Sequence, residues 1–157
     1  MSDAAHDRAE AMELPDDDVV AVVLRQHAMI RDMMAKVEHT AGQVRLQAFT
    51  ELAALIKAHE QAEQAILRPV GIEAEGKRSA KARTKEEAAA DDALLRLDGI
   101  DVDSTEFRDR FDEFRRMVEE HAEAEEQHEL EPMRTDVDPA ERVRLGQEFL
   151  EAVGASR

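Results

Sequence analysis

Cysteine, tryptophan and tyrosine are absent from this chain of 157 residues, which has only five Phe, six Gly and four Pro. Without cysteine there is no disulfide, no thiolate metal site and no cysteine nucleophile. Without Trp and Tyr, the core must be assembled from Leu, Val, Ile, Met, Ala and Phe. Few Gly and Pro leave little to interrupt helices, and the abundance of Ala, Glu, Leu and Arg is a helical composition. No apolar run reaches about eighteen residues and no basic-then-apolar leader opens the chain, so a soluble, unexported, cytoplasmic protein is expected. Positive charge is scarce as well: 21 Lys and Arg stand against 37 Asp and Glu, for a net −16. A surface for nucleic acid or an anionic membrane is therefore not expected, since either needs a basic patch. The one basic run, KRSAKARTK at 77–85, reads as an exposed loop or helix start. A charge this negative does suit cations.

What remains is helical patterning, most simply in one domain. Residues 1–15 carry no sustained apolar stripe and are expected to form a flexible N-terminal segment. Asp16–Asp18 supply a cap for a helix from about Val19, whose stripe is Val20, Val23, Leu24, His27, Ile30, Met34 and Val37. After Gly42, a second helix over about 44–68 shows Leu52, Leu55, Ile56, His59, Glu63 and Ile66 on one face and is expected to stop before Pro69. Residues 69–80 read as a loop. A third helix spans about 82–97. A fourth, capped near Ser104, carries Phe107, Phe111, Phe114, Met117, Val118, His121, Glu125 and His128 and is expected to close at Pro132. Asp138 and Pro139 start a short last helix. The spacing predicts an all-α, antiparallel up-down four-helix bundle over 16–135, with a short fifth helix in 136–157 packed on it or trailing from it. No strand pattern, P-loop, dinucleotide fingerprint or nucleophile elbow is present, and no catalytic acid–base constellation is visible.

The informative residues are polar ones on apolar stripes. Positions i and i+4 of a helix share a face, so His59 and Glu63 lie with Leu52, Leu55 and Ile56, and His121 and Glu125 lie with Phe114, Met117 and Val118. In so acidic a chain the spacing alone means little: His6 also has Glu10 at i+4, in a segment with no stripe. The stripe is what distinguishes the other two pairs, because a bundle turns those faces inward. A buried carboxylate beside an imidazole is costly unless paired, hydrogen-bonded or bound to a cation. His27 also lies within its stripe. The plain alternative is a set of hydrogen-bonded core histidines without metal. Glu123, Glu129 and Glu131 are expected on the wet face. Imidazole plus carboxylate without thiolate suits iron, manganese or zinc.

These residues resemble the hemerythrin-like (HHE cation-binding) family. The matching stretches are LRQHAMI with His27, AHEQAEQAILRP with His59 and Glu63, and EEHAEAEEQHELEP with His121, Glu125 and Glu126. LLRLDGID at 94–101 followed by EFRDRFDEF resembles the junction between the family's third and fourth helices. The resemblance covers about residues 18–133. It departs from the family pattern on the third helix, where Glu87 stands at the expected histidine, with Asp91 four residues on. The resemblance implies a non-haem iron centre, expected to be di-iron, that binds or reacts with O2, peroxide or NO, with manganese or zinc as alternative metals. His27, His59 and His121 would be terminal ligands, with Glu87 and Asp91 as atypical third-helix ligands. Glu63 and either Glu126 or Glu125 would bridge: straight-helix geometry prefers Glu125, and the family's spacing prefers Glu126. The expected assembly is a monomer or weak homo-oligomer. The competing expectation is a degenerate, metal-poor bundle acting as a sensory or interaction module, and a third is haem between paired histidines.

Overall fold

The structure is a computed structural model that describes residues 3–70 and 76–155. All regular structure among them is helical: α1 Ala4–Ala11, α2 Val19–His39, α3 Gly42–Ala62, α4 Lys77–Leu95, α5 Thr105–Glu125, α6 Glu131–Asp136 and α7 Pro139–Ala155. Among the described residues no helix is long and apolar enough to cross a membrane.

The start of α2 shows how local signals set these elements. Asp18 stays extended, and its Oδ1 accepts from Val20 N at 2.9 Å, which satisfies one of the free N–H groups of the first turn. Its other oxygen accepts from Arg142 Nε of α7 at 2.7 Å. One buried carboxylate thus caps α2 and fastens α7 to it. Gly42, with φ +59°, turns the chain between α2 and α3. Ser104 caps α5 by accepting from Phe107 N.

Two expectations about helix ends do not hold. Pro69 and Pro132 were expected to stop their helices, yet helix continues through both. In each case a π-helical turn comes just before the proline, at Glu63–Leu67 and at Glu126–Leu130. A proline lacks an N–H and crowds the carbonyl four residues back. The wider turn shifts the hydrogen-bond register at that carbonyl, so the helix passes the proline without breaking. The loop expected at 69–80 is shorter than supposed, since helix runs to Val70 and resumes at Lys77; residues 71–75 lie outside the described ones.

The N-terminal segment also differs. Residues 4–11 form α1, which packs on α2. It lacks a stripe; Ala11 at its end joins the first apolar cluster, and Asp7, fully buried, pairs with Arg31 of α2. A single buried ion pair gives no periodic signal in sequence.

Two apolar clusters make up the core. One contains Val20, Leu24, Leu67, Leu130 and Met133 with Leu145 and Phe149 of α7. The other contains Ile30, Met34, Leu52, Ile56, Leu97, Phe107, Phe111 and Phe114. On α2, His27 falls between Leu24 of the first cluster and Ile30 of the second. His59 and Glu63 fall between Ile56 and Leu67, and His121 and Glu125 between Phe114 and Leu130. A polar layer is therefore clamped between two apolar ones.

The position of α7 depends on Gly146. A Cβ there would lie 1.8 Å from the Asp17 carbonyl oxygen and 2.9 Å from Val19 N. Both are backbone atoms at the start of α2, with no flexible side chain to yield. Gly146→Ala is expected to lower stability by about 1–3 kcal/mol, read as a lower midpoint in thermal denaturation; an unchanged midpoint would contradict this packing.

Candidate metal centre

Three helices deliver the imidazoles of the polar layer, and their two nitrogens serve different purposes. His59 donates from Nδ1 to Gln26 Oε1 at 2.5 Å, which leaves Nε2 as the inward lone pair. His121 Nδ1 meets Glu86 Oε1 at 2.9 Å, and Arg83 holds Glu86 in place through Nε and Nη2 at 2.7 and 3.0 Å. His27 Nδ1 meets Glu126 Oε2 at 2.6 Å. In all three an outer partner on Nδ1 fixes the ring and aims Nε2 at the centre, as second partners do for metal-binding histidines.

The inward atoms converge. His27, His59, Glu63 and Glu125 form one group, and Glu63, Glu87, His121 and Glu125 form another; in each, one potential ligand atom per residue lies within 4.8 Å of the rest. Every member is buried. Glu63 and Glu125 belong to both groups. The two oxygens of Glu125 divide between them: Oε1 is 3.1 Å from His27 Nε2, and Oε2 is 3.5 Å from His121 Nε2. His59 Nε2 lies 3.1 Å from Glu63 Oε1 and His121 Nε2 lies 3.2 Å from Glu87 Oε2.

These separations lack hydrogen-bond alignment. His59 Nε2, His121 Nε2 and both carboxylate oxygens of Glu63 and of Glu125 have no hydrogen-bond partner. A buried polar group without a partner costs about 1–3 kcal/mol, and in the metal-free layer protons shared between Glu63 and Glu125 and between His121 and its carboxylates reduce that cost. A cation among them removes that cost, and nitrogen plus carboxylate oxygen is a donor set for iron, manganese or zinc.

The electrostatics divide the three rings: His59 is held neutral, whereas His27 and His121 hold protons that an ion would have to displace. Burial and the positive neighbours His27 and His121 push the His59 imidazole down to about 3, so it is neutral and its lone pair free. Burial works against the charged form of His27 too, but the carboxylates of Glu125 and Glu126 outweigh it and raise that ring to about 9. For His121, Glu125, Glu86 and Glu87 outweigh burial and raise it to about 12. Burial and the adjacent Glu125 charge drive Glu63 well above the usual carboxylate range. A positive ion in the layer would satisfy these carboxylates and displace the protons.

Of the residues named from sequence, His27, His59, Glu63, Glu87, His121 and Glu125 are brought together. Glu126 is not in either group; it is the outer partner of His27 and accepts from Arg31 Nη1 at 3.2 Å. The α-helical stretch runs unbroken from His121 to Glu125, and the π turn begins one residue later, so Glu125 keeps the inward face. Asp91 is exposed and outside both groups; it faces Glu60, whose carboxyl burial and the Asp91 hydrogen bond raise to about 9. Glu129, expected on the wet face, is buried and accepts from Arg68 Nη1 at 2.8 Å. His128 is exposed. Gln26, Arg31, Arg68 and Glu86 were not singled out by sequence, because each acts on a residue of another helix and none repeats with helical period.

A cavity of about 30 Å³ adjoins the layer, lined by His27, His59, Glu63 and His121 on one side and by Ile30, Met34, Ile56, Ala90 and Val118 on another. That is room for one or two water-sized molecules, and the charged side chains of Arg31, Glu60 and Glu119 line it as well.

Comparison with known families finds the hemerythrin HHE cation binding domain, whose family model matches residues 18–133. Comparisons with curated proteins and with solved structures give no match.

The histidine geometry makes its own prediction. In metal-free protein, long-range nitrogen–proton NMR is expected to find His59 neutral and protonated on Nδ1 at all pH values above about 3. Gln26→Leu removes the acceptor that selects this tautomer. The variant is expected to lose the preference and to bind a divalent cation about 10–100-fold more weakly; an unchanged tautomer would show that Gln26 does not orient the ring.

Proposed function

The chain belongs to the hemerythrin HHE cation-binding domain family, and on that footing we propose that it is a non-haem iron protein that binds or reacts with a small ligand such as O2, peroxide or NO. The observation that carries the proposal is the set of six orphaned donor atoms on His59, Glu63, His121 and Glu125, all buried and convergent. His27, His59, Glu63 and Glu125 would hold one ion, and Glu63, Glu87, His121 and Glu125 a second. Glu63 and Glu125 would be the shared carboxylates, and Asp91 would hold no metal. Iron, when bound, would supply redox chemistry and open coordination positions for the ligand; manganese or zinc are compatible with the same donors.

The chain's own residues do the rest. Gln26, Glu126 and Glu86 orient the three imidazoles, so the donor atoms are arranged before an ion arrives. The small cavity beside them limits a ligand to a few atoms, and Ile30, Met34, Ile56 and Val118 give it an apolar lining alongside Arg31, Glu60 and Glu119. The three carboxylates Glu63, Glu87 and Glu125, with Glu in place of a third-helix histidine, favour the higher oxidation state of iron. That argues for a role in sensing or turning over an oxidant more than for reversible oxygen carriage.

The bundle itself is proposed to run up-down and antiparallel. Along α2 the order is first apolar cluster, polar layer, second cluster; along α3 and α5 it is reversed, and α4 passes from Glu87 to the second cluster at Ala90. The metal-poor alternative is favoured at Glu87, whose Oε2 pairs with Arg68 and whose Oε1 accepts from Gln64 Nε2 at 3.2 Å, so that carboxylate has partners without metal. It leaves the convergence of His59, Glu63, His121 and Glu125 on one buried layer unexplained.

The test is to purify the protein without a metal-affinity tag, quantify bound metals, and record the absorption spectrum before and after azide or peroxide. Bound iron with a near-ultraviolet charge-transfer band that shifts with azide is expected; substoichiometric metal after iron loading would defeat the proposal. An ion at about 100 times its dissociation constant stabilises the fold by about 2.7 kcal/mol, so the thermal midpoint should rise by about 5–10 °C for a chain of this size. Glu125→Gln is expected to remove most of that rise and Asp91→Asn none of it.

A further inference from the structure

The two groups of the polar layer differ in one respect that their ligand types do not reveal. Arg68, next to Pro69, is 6 % exposed, and its guanidinium reaches the second group. Nη2 lies 2.5 Å from Glu87 Oε2 and 3.8 Å from Glu125 Oε2. These are the same two oxygens that His121 Nε2 faces, at 3.2 and 3.5 Å. Nη1 meanwhile donates to Glu129 Oε1 at 2.8 Å, a carboxylate outside both groups. On the side of the first group the arginine is Arg31, and it is paired with Asp7 and Glu126, which belong to neither.

We propose that Arg68 is a resident cation on the His121 side, so that the two positions fill unequally: the His27–His59 position first and tightly, the His121–Glu87 position only when the guanidinium gives way. The proposal rests on the cation-binding function above and refines it. An arginine stays charged at any pH the protein meets, so its repulsion of a second ion cannot be relieved by losing a proton. Its anchorage to Glu129 matters as well. A guanidinium forced off Glu87 and Glu125 keeps one charge-assisted hydrogen bond, which makes displacement by an ion feasible at a cost. At limiting metal the chain then holds one ion, and the second follows availability.

Arg68 could instead serve as a strut that orients Glu87 for metal, and the two roles predict opposite effects of its removal. Metal-free protein is titrated anaerobically with Fe(II), and with Mn(II) as a redox-silent probe, by calorimetry with analysis of bound metal. Two resolved steps are expected in the unmodified chain, the second weaker by on the order of tenfold or more. Arg68→Gln is expected to tighten the second step until the two merge, while Arg68→Lys, which keeps the charge, leaves it weak. Equal steps in the unmodified chain would overturn the proposal. So would an Arg68→Gln variant that loses the second ion, since that is the behaviour of a strut. Should Arg68→Gln not fold, the step ratio of the unmodified chain and its persistence in Arg68→Lys decide the matter. Uptake of no ion by any of these proteins would overturn the cation-binding function itself, a result distinct from equal uptake at both positions.

Discussion

The structure depends on one electrostatic constraint: several carboxylates and three imidazoles are held in a dry layer between two apolar clusters. Glu63, Glu87 and Glu125 are fully buried in a protein already at −16. Coulomb repulsion at such separations is weakly screened away from water. The fold answers with Arg68 and Arg31, each bonded to more than one carboxylate, while burial and the adjacent Glu125 push the Glu63 carboxyl well above its usual range. These measures leave the innermost oxygens and the Nε2 atoms of His59 and His121 unsatisfied. A layer half-compensated in this way is worse than an apolar one unless a further cation completes it.

The two π turns belong to the same constraint. Each begins at or immediately after a shared carboxylate, Glu63 in one helix and Glu125 in the other, and each precedes a proline that the helix survives. Extra residues inserted into a helix at such points are often found at functional sites. Here the turn after Glu125 sends Glu126 outward to His27 and Arg31 while Glu125 stays inward. Neighbouring glutamates thereby take different tasks: one faces the centre, the other steadies a ring.

Charge also explains the reach of the outer partners. Asp7 on α1, Arg31 and Glu126 form a chain of contacts that ends on His27, so the N-terminal helix is coupled to the polar layer through ion pairs. On the other side of the layer, α7 brings Phe149 edge-on to His59, with ring centroids 5.7 Å apart. Helices α1 and α7, outside the four that carry the layer, thus each reach one of its histidines, α1 through ion pairs and α7 through a ring contact.

How much of this was legible in the sequence follows from the range of each interaction. Helical content, the apolar stripes of α2, α3 and α5, and the inward turn of His27, His59, Glu63, His121 and Glu125 are local consequences of a 3.6-residue period. The resemblance on the third helix pointed to Glu87 without any stripe of comparable strength. What the sequence could not decide depends on partners far along the chain. His27 meets Glu126 across 99 residues and Arg68 meets Glu129 across 61. Such pairings leave no periodic trace, and a lone Arg, Gln or Asp in a chain this charged looks like surface. The sequence by itself determined which faces turn inward and which residue types they carry. Only the tertiary structure decided that Glu125 rather than Glu126 faces the centre, that Asp91 stays outside, and that an arginine stands against one of the two groups, because long-range charge pairing is settled by packing and not by helical period.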